Sequence, residues 1–139
     1  MIFVDTGAFL ARYLARDQHH AFAQKAWQQL PSRPWRVLTS NFVLDETFTL
    51  LARWATPDFA ADRAESVLAS GAFVILRPDA DDEHEALELF RKFSDQRVSF
   101  TDCVSFALMR RHGIERAFAF DRHFVHAGFR LWPEDSATT

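Results

Sequence analysis

The sequence is poor in cysteine and glycine. Its 139 residues include one cysteine and four glycines. A single cysteine excludes an internal disulfide and the usual cysteine-based zinc sites, so the sequence gives no sign of an oxidising compartment. We therefore expect Cys103 to be a small, buried, apolar residue.

Long apolar runs are also missing. No stretch reaches the roughly 18 apolar residues that a membrane span needs, and Met1 leads directly into a predicted strand without the features of a signal peptide. We predict a soluble cytoplasmic protein that does not associate with membranes. Low-complexity segments and repeats are absent as well, so we predict a single domain over residues 1–133 and a flexible tail over residues 134–139.

An excess of basic residues is absent too. The formal net charge is −3, whereas nucleic-acid-binding domains usually have a basic excess. All of the 16 basic residues except Lys25 and Lys92 are arginine, whose planar guanidinium group suits phosphate. A codon bias towards arginine in a GC-rich genome explains this equally well, so charge alone does not decide whether the protein binds RNA.

The sequence is rich in apolar residues, and their spacing is typical of strands in some segments and of helices in others. It is 48% hydrophobic with 15 phenylalanines, enough to build the core of one globular domain. Short apolar segments predict strands at residues 2–5, 36–39, 73–76, 117–120 and around 129–132. Helical periodicity predicts helices at residues 8–15, 20–30, 41–54, 57–70, 79–93 and 101–112. This alternation predicts an α/β fold with a mostly parallel five-stranded sheet covered by helices on both faces.

Two acidic residues follow predicted strands. Asp5 comes directly after the apolar segment at residues 2–4, and Asp121 comes directly after residues 117–120. The crevice beyond the carboxyl ends of parallel strands is where ligands bind in open α/β sheets. We expect both carboxylates to lie in that crevice.

A third acidic residue lies on the apolar face of the predicted helix at residues 41–54. Glu46 comes four residues after Phe42 and four before Leu50, so it shares their face, whereas Asp45 lies about 100° further round. A carboxylate on that face must be protonated, paired or bound to metal, because an isolated buried charge is too unfavourable. Glu46 is therefore the stronger candidate, and a partly buried Glu bonded to an arginine is the alternative.

Asp102, the fourth acidic residue, opens the predicted helix at residues 101–112. Taken singly, it is typical of an ordinary first-turn acid, and Asp5 and Asp121 are each typical of helix caps. The four together favour a carboxylate site for a divalent metal. Hard oxygen ligands suit Mg²⁺ or Mn²⁺, which assist phosphodiester hydrolysis by activating water and stabilising the leaving oxygen. Thr6 is a candidate to contact phosphate or water through its hydroxyl, and capping the first helix is equally plausible for it.

Other polar and aromatic residues are weaker candidates. Arg12, Arg16, Arg110 and Arg111 are plausible phosphate contacts. Trp27, Trp35 and Trp54 could stack on bases, although Trp54 continues the apolar stripe of its helix. His123 could approach RNA, and we favour a structural role for it.

Three segments carry a resemblance to a known family. The stretches MIFVDTGAFLARY, TSNFVLDETFTLLARW and VSFTDCVSFALMRRHGIERAFAFDRHF resemble the PIN domain, in particular the VapC-like toxins of bacterial type II toxin–antitoxin modules. The resemblance implies a three-layer α/β/α sandwich and an endoribonuclease that uses Mg²⁺ or Mn²⁺. The acidic residues of the family fall on Asp5, Glu46, Asp102 and Asp121. It also implies RNA as substrate, a cognate antitoxin as partner, and a homodimer.

Surface for such partners is predicted on the first two helices. They contain apolar residues that could cover a partner or simply pack in the core, namely Phe9, Leu10, Tyr13, Leu14, Phe22 and Trp27. A housekeeping RNA-processing nuclease of the same fold remains an alternative, which a neighbouring antitoxin gene would distinguish. A Mg²⁺-binding signalling receiver is a third hypothesis, and the lack of any lysine after Lys92 disfavours it.

Overall fold

The apolar segment at the start of the chain forms the central strand of a parallel sheet. The computed structural model describes residues 1–134, and its strands are β1 (Ile2–Val4), β2 (Val37–Ser40), β3 (Phe73–Leu76), β4 (Arg116–Phe118) and β5 (Arg130–Trp132). Their order across the sheet is β3-β2-β1-β4-β5, and every pairing is parallel. All residues of β1 are completely buried, as expected for a central strand with both faces covered.

Seven α-helices connect and cover the strands within residues 1–134. They are α1 (Thr6–Tyr13), α2 (His20–Gln29), α3 (Asn41–Trp54), α4 (Pro57–Ala69), α5 (Ala80–Lys92), α6 (Phe100–His112) and α7 (His123–His126), with a 3-10 turn at Leu30–Ser32. The main helix pairs are α1 with α2, α3 with α4, and α5 with α6. The predicted α/β/α fold is confirmed, and the sheet is wholly parallel in this part of the chain. No helix within it has both the length and the apolar character needed to cross a membrane.

Local sequence signals explain where the helices begin and end. The Ser40 hydroxyl accepts a hydrogen bond from the backbone N–H of Val43 at 3.1 Å, and Thr56 does the same for Phe59. Such caps satisfy backbone donors that have no partner inside the helix. Gly113 ends α6 with a φ of 67°, a left-handed conformation that glycine adopts without a Cβ clash.

The predicted boundaries were wrong at two places that concern the acidic residues. Helix α1 begins at Thr6, two residues before the predicted start, because the backbone carbonyl of Asp5 accepts hydrogen bonds from Ala8 and Phe9. Strand β4 ends at Phe118, not at residue 120, so Asp121 does not follow the strand directly. The carbonyl of Phe118 accepts the N–H of Asp5 at 3.0 Å. This hydrogen bond brings the ends of β1 and β4 side by side.

Aromatic residues fill much of the core. Phe106 packs edge to face on Phe124 with ring centroids 5.1 Å apart, and Trp27 donates its indole N–H to the carbonyl of Ala8 at 3.0 Å. Cys103 is completely buried and free, as predicted. Such close packing of large rings buries apolar surface and stabilises the fold.

The structure decides one open alternative about the surface and corrects one prediction. Of the apolar residues proposed for a partner surface, Phe9, Leu10 and Trp27 are buried in the core. Trp54, expected in the core, is 58% exposed at the end of α3. Of the predicted tail, residues 135–139 lie outside the described residues.

Candidate active site

All four predicted acidic residues line one cavity at the carboxyl edge of the sheet. The cavity has a volume of about 440 Å³, and its walls are formed by Asp5, Thr6, Gly7, Glu46, Ser99, Asp102, Phe120 and Asp121. The residues come from the ends of β1 and β4, from the middle of α3 and from the start of α6. Residues far apart in sequence thus meet where an open α/β sheet binds its ligands.

Asp5 lies at the centre of this arrangement and does not act as a helix cap. It occupies the position just before α1, yet its side chain forms no capping hydrogen bond. Asp5 is only 6% exposed, and its Oδ1 atom is buried with no hydrogen-bond partner in the described chain. The hydroxyl of Thr6 is buried and unpartnered in the same way. A buried polar atom without a partner is unfavourable, so both groups suit a ligand.

Glu46 reaches the cavity because of its position on α3. It lies on the half-buried side of the helix, whereas Asp45 is exposed. Thr47 next to it is completely buried and donates its hydroxyl to the carbonyl of Val43 at 2.7 Å. The prediction that Glu46 and not Asp45 faces inward is confirmed.

Asp102 combines a structural role with a place in the cavity. Its Oδ2 accepts the backbone N–H of Ser99 at 3.3 Å, and its own N–H donates to the Ser99 hydroxyl at 3.0 Å. This capping box fixes the start of α6. The first-turn role considered from the sequence is therefore real, and it also holds the carboxylate at the cavity wall.

Asp121 is the most exposed of the four and is held by its own loop. Its Oδ1 accepts the backbone N–H of His123 at 2.8 Å. The imidazole Nδ1 of His123 lies 3.0 Å from the same Oδ1 and 3.9 Å from Oδ2 of Asp102. Ligand atoms of Asp102, Asp121 and His123 all lie within 4.8 Å of one another. Three such atoms at this spacing fit a single metal ion.

The electrostatics of the cavity favour a bound cation. Burial raises the pKa of Asp5 well above its usual value, and the charges of Asp102, Glu46 and Asp121 raise it further. Burial and the Asp121 charge raise the pKa of Asp102 to about 6. Like charges that share a site disfavour each other's ionisation, and a divalent cation removes that repulsion. The residues present therefore fit a divalent metal held mainly by oxygen ligands.

Sequence reasoning undervalued one residue and missed three others. His123 was expected to be structural, but its imidazole lies beside two of the carboxylates; its position two residues after Asp121 was the available signal. Gly7, Ser99 and Phe120 line the cavity without having been predicted. Ser99 could have been found from the Ser-x-x-Asp spacing of a capping box.

The fold and the site together define an α/β protein with a carboxylate cluster for a divalent metal. Comparison with known proteins agrees with this class. The model of the PIN domain family matches residues 2–130, which is nearly all of the described chain. The chain therefore belongs to the PIN domain family.

Individual relatives are toxins and ribonucleases of the VapC type. The chain is 41% identical over 129 residues to the 23S rRNA-specific endonuclease VapC20 of Mycobacterium tuberculosis, covering 93% of this chain and 95% of the relative. It is 33% identical over 105 residues to a VapC ribonuclease of Archaeoglobus fulgidus, covering 73% and 65%. The crystal structure of VapC20, a sarcin–ricin loop cleaving toxin, matches with a TM-score of 0.84 at 39% identity, covering 93% of this chain and 96% of that one. A toxin–antitoxin complex from Klebsiella pneumoniae shares the fold, with a TM-score of 0.62 at 14% identity and coverage of 100% and 97%. The predicted resemblance to VapC-like PIN proteins is confirmed.

Proposed function

We propose that this protein is a metal-dependent endoribonuclease that hydrolyses RNA phosphodiester bonds at the carboxylate cavity. The observation that carries the proposal is the convergence of Asp5, Glu46, Asp102 and Asp121 on one cavity. An RNA phosphodiester is itself an anion, so these carboxylates repel it unless cations lie between them. Hydrolysis assisted by divalent metal is the chemistry that this charge pattern suits.

The cofactor is Mg²⁺ or Mn²⁺, held by the four carboxylates. Asp102, Asp121 and the imidazole of His123 would hold the ion, since their ligand atoms lie within 4.8 Å of one another, and the buried carboxylate of Asp5 in the same cavity would be a further ligand. When bound, the ion acts as a Lewis acid towards water and phosphate oxygens. A nitrogen ligand favours transition-metal ions over Mg²⁺, so His123 supports Mn²⁺.

The remaining residues of the cavity orient the RNA and the water. The unpartnered hydroxyl of Thr6 donates to a phosphate oxygen, because it has no acceptor within the described chain. Ionised Asp5 holds the attacking water in position and accepts its proton. Because water attacks and not the RNA 2′-hydroxyl, the products carry a 5′-phosphate and a 3′-hydroxyl.

The target is 23S rRNA, at the sarcin–ricin loop. This assignment is supported by the M. tuberculosis relative, whose described activity is cleavage of that RNA and which matches almost the whole chain.

The protein is the toxin of a toxin–antitoxin pair, located in the cytoplasm, and its activity is blocked by a cognate antitoxin. It forms a homodimer. A cavity of about 780 Å³ is bordered by the half-buried Tyr13, Leu14 and Phe59 and by the exposed Trp54. It offers apolar surface for such partners.

Mapping of RNA ends tests this function. Purified protein is incubated with ribosomes in Mg²⁺, in Mn²⁺ and in EDTA, and new 5′-phosphate ends are located by sequencing. We expect metal-dependent ends at one position of 23S rRNA. Metal-independent ends, or products with 2′,3′-cyclic phosphates, would contradict the proposal. Co-expression with the product of the neighbouring reading frame tests the antitoxin, and light scattering tests the homodimer.

A further inference from the structure

We infer that a groove rich in arginine at the amino ends of β4 and β5 binds the phosphate backbone of the RNA that flanks the cut. This inference rests on the proposed ribonuclease function and adds a second contact region to it. The groove has a volume of about 410 Å³ and includes Arg33, Trp35, Arg116, Arg122, Arg130 and Trp132. We refer to these six residues as the arginine groove. Glu134 also lines it and is its one carboxylate among the described residues.

The charge of the arginine groove is positive, whereas the net charge of the whole protein is negative. Four arginines and one glutamate meet in it, whereas the formal net charge of the chain is −3. Positive charge concentrated in a concave region attracts anions even when the net charge is negative. The groove therefore offers an anionic polymer a place to bind.

The arginines of the groove have no carboxylate partners in the part of the chain that the structure describes. The arginine ion pairs found there are Arg110 with Glu85 at 3.5 Å and Arg111 with Asp82 at 2.8 Å, and they join α6 to α5. These two were among the arginines considered from the sequence as phosphate contacts, and their charges are already paired. The free guanidinium groups of the groove are better placed for phosphate.

The sheet holds two of these like charges next to each other. Arg116 on β4 and Arg130 on β5 are partners in the parallel register, so their side chains leave the same face of the sheet. Like charges in neighbouring strand positions are unfavourable. A phosphate bound between them removes that repulsion and accepts hydrogen bonds from both.

Tryptophan rings hold the guanidinium groups in place. Arg116 and Arg33 lie over the ring of Trp35, at 4.1 and 4.4 Å from its centroid. Trp132 packs edge to face on Trp35 with centroids 5.5 Å apart. Stacking on an aromatic ring orders an arginine before its ligand arrives, so less conformational entropy is lost on binding.

The arginine groove and the acidic cavity are lined by two residues that are consecutive in sequence. Arg122 lines the groove, and Asp121, directly before it, lines the acidic cavity. Arg116 and Arg130 begin their strands and the acidic cavity lies beyond the strand ends, so an RNA that contacts both must span the sheet edge, about 10 Å for a three-residue strand. Contacts to phosphate position the RNA without reading its sequence.

The test measures RNA binding without cleavage. A fluorescent hairpin that carries the sarcin–ricin loop and a flanking stem is titrated in EDTA at several salt concentrations, with the wild type and with an Arg116→Gln, Arg130→Gln double variant. Each lost phosphate contact lowers the slope of log Kd against log salt by about 0.7 to 0.9, so we expect the double variant to lower it by about 1.5. The matched control is an Arg53→Gln, Arg91→Gln double variant, which removes the same charge from exposed positions on α3 and α5. We expect the control to keep the wild-type slope.

Further measurements separate this inference from folding and from the proposed function. Arg130 is exposed and its side chain forms no ion pair within residues 1–134, so Arg130→Gln alone is expected to fold normally. It should lower the slope by about half as much as the double variant does. With metal present, the groove variants should raise KM and leave kcat unchanged, because the contact is equal in ground and transition states.

Equal slopes for groove and control variants, or no salt-dependent binding by the wild type, would overturn the inference. So would an acidic peptide that competes as strongly as RNA of equal charge, since the groove would then suit a protein partner. Cleavage that survives Asp5→Asn would overturn the proposed function and leave the binding result intact.

Discussion

The Asp102→Asn substitution is expected to stabilise the metal-free protein while it abolishes activity. Burial and the neighbouring charges, above all that of Asp121, raise the pKa of Asp102 from 3.8 to about 6. Ionisation of this buried carboxyl at neutral pH therefore lowers the free energy of unfolding by about 3 kcal/mol. Asparagine is neutral at every pH, and its side-chain oxygen can still accept the N–H of Ser99, so the variant avoids this loss.

The sign of the effect fixes its pH dependence. The pKa of Asp102 is higher in the folded protein than in the unfolded chain, so the folded state holds the proton more tightly. The destabilisation is absent below the unfolded value, grows as pH rises through the window up to about 6, and is constant above it. We expect the variant to exceed the wild type by about 3 kcal/mol at about pH 7.5 and by only about 1 kcal/mol at about pH 4.5.

Urea denaturation followed by circular dichroism, in EDTA at both pH values, measures this difference. Asp45→Asn is the matched control, because it makes the same change at an exposed position one residue from Glu46; it should change the free energy of unfolding by no more than about 0.5 kcal/mol. Saturating Mg²⁺ should stabilise the wild type more than the Asp102 variant. An Asp102→Asn protein that is no more stable than the wild type at about pH 7.5 would refute the reasoning.

Three further predictions concern single substitutions. Glu46→Gln should weaken Mn²⁺ binding, measured by calorimetry, by about 10- to 100-fold, whereas Asp45→Asn should not change it. His123→Ala should weaken Mn²⁺ binding about 10-fold and Mg²⁺ binding less, because it removes a nitrogen ligand; equal losses for both ions would contradict its role as a ligand. Phe106→Ala should lower the free energy of unfolding by about 3 to 5 kcal/mol in urea denaturation, since the ring is fully buried. A loss below about 1 kcal/mol would show that the core does not depend on the Phe106 ring.

The fold was largely predictable because the apolar segments are short and sharply bounded. The helix at residues 41–54 has the predicted bounds, and the strand predicted at residues 2–5 ends only one residue early, since period and capping residues agree there. Glu46 could be chosen over Asp45 by helical periodicity alone. The predicted end of β4 failed because the apolar run continues to Phe120 while the pairing with β1 stops at Phe118.

The details of the site depended on distances that sequence does not contain. Periodicity could not tell that the side chain of Asp5 leaves the N–H groups of α1 uncapped. Nor could it show which arginines are free, because Arg110 and Arg111 find their acidic partners on α5, a separate helix. The arginine groove joins residues from three separate segments of the chain, so no local pattern could reveal it.

RNA cleavage by matched aspartate variants tests the central claim most directly. Wild type, Asp5→Asn and Asp45→Asn are incubated with the sarcin–ricin hairpin in Mg²⁺, in Mn²⁺ and in EDTA, after circular dichroism has confirmed that all three are folded. The carboxylate cavity predicts cutting by the wild type and by Asp45→Asn with metal only, and a loss of about 100-fold or more for Asp5→Asn. Undiminished cutting by Asp5→Asn, or cutting that persists in EDTA, would contradict it.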